Sequence, residues 1–549
     1  MNYKELAELL FPKVKESVMD IEKRYPERKL EEGARVTRFA PSPTGFVHMG
    51  SLLSAFEDYK FAKDSGGIFY LRIEDTDQKR SVENGISGIV RDLENFGIVP
   101  DEGMIDENNS IGEYGPYIQS ERKDIYHAYA KHLVEKGMAY PCFCSAESLD
   151  ETRKIQELNK ERIGYYGSYA KCRHLTLDEI KEKINNGEKF VIRFKSNGDF
   201  NNKITLHDEV RGDIEFPEND QDVVIIKSTD ELPTYHFAHA VDDHLMHTTH
   251  VMRGEEWLSS YPIHHQLFES LEFPLPKYAH LGLVMKIDED GTRRKLSKRK
   301  DPEASVEFYH QEGIPIDAVK IYLMTIANSN FEGWLDENAD KDYNEFKLSF
   351  NKISESGSLF DVSKLFNISK QYISKMTSEE LYDAYLIWAK EFDLELYDLM
   401  VKYEKYVKDI FSIERYQAKP RKDYASYSDI KNYIWYMFDE LFTPKTYEWQ
   451  KITDKEEIKK IVTTYFGEYY DISDDKDTWF NKVKELTDKL GYCSNMKEYK
   501  KNPDAYKGNV ADVATVIRVS VTSLSMTPDL YEILKLLGIE RIKDRINML

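Results

Sequence analysis

The chain has 549 residues, enough for about three to four domains of about 150 residues each, and 41% are hydrophobic and 32% charged, with 27 Gly and 18 Pro. That balance excludes a disordered, collagenous or peptide-sized product. The net charge of −22 offers no global attraction for nucleic acid, so any anionic partner has to be met by local basic clusters.

At the N-terminus Leu6, Leu9, Leu10, Val14 and Val18 recur every three or four residues, which predicts one amphipathic helix over 4–24 within an extension spanning 1–34. Acids and bases are mixed here, as in neither a signal peptide nor an acid-poor transit peptide, and no apolar run reaches the roughly 18 residues of a membrane span. Four cysteines are too few for a disulfide framework. A cytoplasmic protein with no membrane partner is expected.

Val36 to Ala40 reads as a strand that ends in the turn-rich Pro41, Ser42, Pro43, Thr44 and Gly45. A helix begins at Gly50 or Ser51, periodic through Leu52, Leu53, Phe56, Tyr59 and Ala62, and Ser65-Gly66-Gly67 stops it before the strand IFYLRI. In this β-α-β unit the helix N-terminus, with unpaired N–H groups and partial positive charge, suits an anionic phosphate. Gly-x-Gly and Gly-Lys are both absent, which excludes the dinucleotide fingerprint and the Walker A loop.

Residues 126–225 change to short strands such as FVIRF and DVVIIK between charged helices, as an inserted module would, and the first half-fold resumes over 226–345. From 346 to 549 the text is helix-rich and Tyr-rich, with helices at WFNKVKELTDKL and at TPDLYEILKLLG. For the latter, Thr527 is the expected N-cap, Pro528 the first turn and Gly538 the stop.

His48-x-Gly50 at a helix start suits a nucleotide, since imidazole donates to a phosphate oxygen and glycine admits a ligand to the backbone. Alone it reads rather as a surface His beside a helix-starting Gly. Lys295-Leu296-Ser297-Lys298-Arg299 is a basic loop, and alone reads as a solvated charge run. Cys142-x-Cys144 and Cys172-x-His174 are two hooks able to close a tetrahedral Zn²⁺ site without an open position. The alternative is reduced core cysteines with an incidental His.

Taken together, RFAPSPTGFVHMGS (38–51), LRIEDTD (71–77), YHFAHAVDDHL (235–245), RGEEWLSS (253–260) and KLSKRKD (295–301) resemble the bacterial-type glutamyl-tRNA synthetases, class I aminoacyl-tRNA synthetases whose signatures are written HIGH and KMSKS. The likeness is dense over about 35–310 and thinner to the C-terminus, where GNVADVATVIRVSVTSLSMTPDLYEILKLLG looks like the family's last anticodon-binding domain. It implies an α/β fold. A Rossmann-like catalytic domain (35–125 and 226–345) would be split by an acceptor-binding insertion (126–225) in its zinc-binding form and followed by α-helical anticodon-binding domains (346–549).

The resemblance further implies a glutamate–tRNA ligase: ATP activates glutamate to glutamyl-adenylate, and the glutamyl group passes to the 2′-OH of the terminal adenosine of tRNA(Glu). No enzyme nucleophile is needed, so catalysis is positioning plus charge stabilisation. His48, Gly50, Lys295 and Lys298 would be catalytic and, with Ser51 and Ser297, would hold ATP. Arg38 would read the side-chain carboxylate, Glu74 the ammonium and Arg253 the α-carboxylate, with Ala40, Ser42, Tyr235 and His239 around the substrate. Mg²⁺ is implied by the charge on the departing pyrophosphate, with no dedicated ligand set in the sequence, and structural Zn²⁺ by Cys142, Cys144, Cys172 and His174. Asp75 and Asp77 are read as ending a strand and capping the segment after it. A monomer is expected.

Three positions depart from the family. Ser51 stands where the first signature has its second His. Leu296 and Arg299 replace the Met and final Ser of the second, keeping volume and charge. His239 stands where Asn is usual, which brings a titratable ring and with it a pH-dependent affinity for glutamate into prospect. Three relatives are alternatives: a glutaminyl enzyme, for which a PPEPNG-like loop and a β-barrel C-terminus would be expected; the short glutamyl-queuosine tRNA-modifying enzyme, which lacks a long C-terminal half; and a catalytically silent paralogue. A small nucleotidylyltransferase shares the H-x-G loop without explaining the remainder.

Overall fold

A computed structural model describes residues 1–43, 47–77, 82–297, 299–444 and 446–549; Thr44, Gly45 and Lys298 lie outside the described residues. The chain divides into two units, residues 1–308 with 320–361, and residues 309–319 with 362–549.

In the first unit α1 (Tyr3–Leu10) is capped by Asn2 and α2 (Val18–Arg24) by Ser17. The one helix expected over 4–24 is two, because Pro12 brings no N–H to continue α1 and its ring disfavours helical backbone at Phe11. The extension is tied down by Arg28, which donates to both oxygens of Glu102 (2.7 and 2.9 Å), and by Tyr25, which donates to Gly115 O (2.9 Å) and accepts from Arg122 (3.2 Å).

The expected β-α-β unit is present as β1 (Val36–Phe39), α3 (Met49–Lys63) and β2 (Ile68–Leu71), with β1 and β2 parallel from Val36↔Ile68 to Phe39↔Leu71. Parallel strands need such a crossover, and the buried β1 reads as a continuous rather than alternating run. Gly67 is obligatory at the turn into β2, since a Cβ there would fall 1.9 Å from Arg35 O. After α4 (Gly85–Asn95), β3 (Glu102–Met104) adds parallel to β2, and β4 (Ser110–Ile111) antiparallel to β3.

Beyond α5 (Lys123–Glu135), β5 (Ala139–Cys142) begins the region read as an insertion, which continues through α6 (Ala146–Leu158), α7 (Leu177–Asn185) and β6 (Val191–Phe194). The next pair, β7 (Lys203–Asp208) and β8 (Gly212–Pro217), is a hairpin, and β9 (Val224–Ile226) closes a three-stranded sheet in the order β5-β6-β9. After α8 (Tyr235–Leu245) comes β10 (His250–Gly254), then α9 (Tyr261–Leu271) and β11 (Lys277–Leu281), parallel to β10. The β7–β8 hairpin joins this second sheet at Tyr278↔Asp208 rather than the β5-β6-β9 sheet. Thr249 donates its N–H to Val36 O (3.0 Å) and accepts Val36 N–H on its hydroxyl (2.8 Å), which sets β10 beside β1. A hairpin of β12 (Val284–Ile287) and β13 (Arg293–Lys295) then presents the basic loop.

The second unit is helical among its described residues, from Val362–Lys375 to Leu530–Ile546, around a core that includes Leu381, Tyr385, Val407, Ile430, Val483 and Ile517. The expected helix at WFNKVKELTDKL is present as Lys476–Lys489. At Leu530–Ile546 the cap is Asp529, which accepts Glu532 N–H, and not Thr527, whose hydroxyl accepts from Arg518 (2.8 Å). Gly538 does interrupt that helix, at φ 72° and ψ 168°, but a further helical segment continues beyond it. No described helix is long and apolar enough to cross a membrane.

Candidate active site

The carboxyl ends of β1, β2, β10 and β11 open on a cavity of about 820 Å³, the place where parallel α/β sheets bind ligands. Of the residues singled out for glutamate, Arg38, Ala40, Ser42, Glu74, Tyr235 and Arg253 line it. Of those singled out for ATP, so do His48, Gly50, Ser51, Lys295 and Ser297. The strand ends thus bring together side chains that lie more than 250 positions apart in sequence.

His48 is the N-cap of α3, with Nδ1 accepting Ser51 N–H at 3.0 Å. That bond puts the ring proton on Nε2, which lies 3.1 Å from Ser51 Oγ at the mouth of the helix. Gly50 serves the ring as much as a ligand, because a Cβ there would press within 3.3 Å of His48 Cε1 and Nδ1. A backbone bridge between His48 and Ser305 ties this turn to the segment after the basic loop. The loop itself is pinned by Asp301, which accepts Ser297 N–H (2.9 Å) and both Arg294 Nη groups, while Leu296 is buried and Lys295 exposed.

Arg38 is buried and fixed by Met252 O (3.1 Å) and by Asp243, 3.3 Å from its Nε. Asp243 also accepts from Arg72 Nη1 at 2.7 Å, and Arg72 Nη2 donates to Glu74 at 3.2 Å. Burial pushes the Asp243 carboxyl up, but the guanidiniums of Arg72 and Arg38 prevail and hold it well below the usual range. Burial alone lifts Glu57 to about 8, and it lifts Asp58 well above the ordinary value against the pull of Arg38. Both line the cavity from α3. With its value raised to about 8, Glu57 adds little negative charge to this wall at neutral pH, which suits anionic ligands beside the arginines.

His239 is not in the cavity wall. It is wholly buried behind Tyr235, with Nδ1 2.6 Å from Asp243 and Nε2 2.8 Å from Tyr278 Oη. Burial lowers it to about 3 despite Asp243, so the ring is neutral at physiological pH and carries no pH-dependent affinity in that range. Asp75 accepts Ser120 N–H (2.8 Å) and Oγ–H (2.5 Å), a contact with a segment 45 residues on and not the expected capping of the segment directly after it.

In the β5-β6-β9 region Cys142, Cys144 and Cys172 bring their thiols within 4.8 Å of one another. His174 does not join them; it ends the short 3-10 turn Lys171–His174 and is exposed. Beside them lies Tyr165, whose hydroxyl is 3.4 Å from both Cys142 and Cys144 and accepts Cys172 N–H at 3.1 Å. Three thiols converging on one point fit a Zn²⁺ ion, and the Tyr165 hydroxyl is an oxygen placed beside them.

Residues 35–366 match the family described as tRNA synthetases class I (E and Q), catalytic domain. Glutamate–tRNA ligases of Clostridium perfringens strain 13 and of Acetivibrio thermocellus are each 49% identical to the chain, over 100% of both partners. The chain belongs to the glutamate–tRNA ligase family of class I synthetases. Among solved structures of that family, a glutamate tRNA ligase from Elizabethkingia meningosepticum in complex with its amino acid superposes with a TM-score of 0.76 at 27% identity, covering 94% of this chain and 99% of that one. The enzyme of Elizabethkingia anophelis does so at 0.73 and 28%.

For a glutamate–tRNA ligase fold the sequence leaves several wall residues unread. Trp257, packed on Tyr235 with ring centroids 4.1 Å apart, lines the cavity, as do Glu57 and Asp58. Trp257 lies inside the RGEEWLSS motif and is the one within reach of a sequence reading. Arg72 and Asp243 also lie in family motifs, yet their pairing spans 171 residues and has no local signal. Tyr165 sits between the two cysteine hooks, where spacing rules look only for Cys and His.

Proposed function

We propose that the chain is a glutamate–tRNA ligase that activates glutamate with ATP and passes it to the terminal adenosine of tRNA(Glu), working as a cytoplasmic monomer. The observation that carries this reading is the cavity itself, in which two buried arginines from β1 and β10 share one wall with His48 and Lys295. Arg38 takes the side-chain carboxylate, where a planar fork favours a carboxylate over the neutral amide of glutamine. Arg253 takes the α-carboxylate, and Glu74 faces the ammonium while Ala40, Ser42 and Tyr235 shape the remainder.

The α-carboxylate attacks the α-phosphate in line, and pyrophosphate leaves. His48 donates from Nε2 to a phosphate oxygen at the N-terminus of α3, with Ser51 beside it in place of the second signature His. Lys295, Ser297 and Lys298 close over the departing pyrophosphate, whose charge calls for Mg²⁺. His239 acts behind the wall, through Asp243, and does not touch glutamate.

Zn²⁺ held by Cys142, Cys144, Cys172 and Tyr165 would be structural, fixing the region that meets the acceptor end of tRNA. Cys172→Ser is expected to release the metal and to destabilise this region by several kcal/mol. Zinc content by atomic absorption and thermal unfolding check both effects, and His174→Ala is expected to change neither.

The direct assay incubates the purified protein with ATP, Mg²⁺, tRNA and one amino acid, and tracks AMP release. Release with glutamate and none with glutamine supports the reading. Release only with glutamine moves the chain to the glutaminyl enzymes, and no release with either moves it to the silent paralogues.

A further inference from the structure

Arg253 is held unlike the other buried arginines of the site. Arg38 and Arg72 both lie against Asp243, whereas among the described residues no carboxylate lies within ion-pairing distance of Arg253. Its strongest partners are two imidazoles. Nε donates to His280 Nε2 at 3.0 Å, and Nη1 is 2.9 Å from His264 Nδ1; weaker contacts at 3.4 Å go to Tyr235 Oη and Trp257 O.

A guanidinium only donates, so each facing imidazole nitrogen must offer a lone pair, and this fixes the tautomers. His280 carries its proton on Nδ1 and gives it to Asp208 Oδ2 at 2.6 Å, an oxygen that also accepts the His280 backbone N–H at 3.0 Å. His264 carries its proton on Nε2 and gives it to His236 Nδ1 at 2.9 Å. Both rings are fully buried, and burial lowers both below the ordinary imidazole value, which keeps them neutral acceptors.

We propose that His264 and His280 are positioning residues for Arg253, a pair of neutral acceptors that aim its fork at the substrate α-carboxylate while leaving its charge uncompensated. This rests on the reading of Arg253 as the α-carboxylate partner. A carboxylate in direct contact would compete with the substrate for the guanidinium. Asp208 is kept one imidazole away, near enough to orient His280 and too far to form that ion pair. The hairpin β7–β8 has a use in this arrangement, because it is the element that brings Asp208 beneath β11.

Amide substitutions separate positioning from packing. An Asn places its oxygen near the Nδ1 position of a histidine, and a Gln near the Nε2 position. The proposal therefore expects His264→Asn and His280→Gln to keep the KM for glutamate within about three-fold of the parent in aminoacylation of tRNA. It expects His264→Gln and His280→Asn to raise that KM by about ten- to a hundred-fold, the loss of one charge-assisted bond, with the KM for ATP little changed. Thermal unfolding of each variant is measured alongside. A glutamate KM that tracks thermal stability instead of amide length overturns the proposal. Arg253→Ala is the control on the underlying reading: if it leaves the glutamate KM unchanged, that reading fails and the proposal with it. If it raises the KM and the amide pairs do not split, the positioning role alone fails.

Discussion

Asp243→Asn is expected to cost about 3–5 kcal/mol of stability and to raise the KM for glutamate at least about ten-fold. The carboxylate has no exposed surface and is shared by Arg38, Arg72 and, 2.6 Å away, His239. An amide of the same size leaves the buried Arg38 guanidinium without its counter-charge and Arg72 with only Glu74 and the more distant Asp242, and Arg38 then loses the contact that orients it in the cavity. Because the folded carboxyl is held well below its ordinary value, its contribution is fully present above the unfolded value near 4 and is lost as pH falls through the folded one. The stability gap between parent and variant is therefore expected to be constant from pH 5 to pH 8 and to close only in strong acid. Denaturant unfolding at several pH values, with initial aminoacylation rates against glutamate concentration, measures both parts.

Lys295→Ala is expected to lower kcat by about a hundred- to a thousand-fold, the usual loss when one group stabilising transition-state charge is removed, with unfolding unchanged. The side chain is exposed at the end of β13 and lines the cavity, so it adds little to packing. The loop backbone is held by Asp301 independently of it. Single-turnover rates of adenylate formation report the chemical step, and a small change in KM for glutamate would accompany the large change in kcat. An equal loss of stability and rate would mean instead that the lysine props the hairpin.

Local chemistry explains why part of the molecule is legible in the sequence. The β-α-β unit comes from periodicity and the Ser65-Gly66-Gly67 stop, and the motifs around His48, Lys295, Arg38 and Arg253 name residues that the fold does gather into one cavity. Misreadings arise where two local signals compete. Helical spacing across 4–24 masks the break at Pro12, and Thr527 competes as a cap with Asp529, two residues on. Other features have no local signal at all. The Arg38–Asp243 contact spans 205 residues, the exposed position of His174 depends on a single 3-10 turn, and His239, which sequence would place beside the substrate, lies behind Tyr235 and outside the cavity wall. The acceptors of Arg253 come from α9 and β11, which only the folded sheet brings to β10.

The central claim is that this cavity ligates glutamate to tRNA, and the most direct measurement detects the acylated 3′ end itself. Purified protein, ATP, Mg²⁺, labelled glutamate or labelled glutamine, and a transcript of tRNA(Glu) are combined, and acid-stable separation resolves charged from free tRNA. Charging with glutamate and none with glutamine is the predicted result. Charging with glutamine alone, or none with either amino acid by a protein shown to be folded, would contradict it.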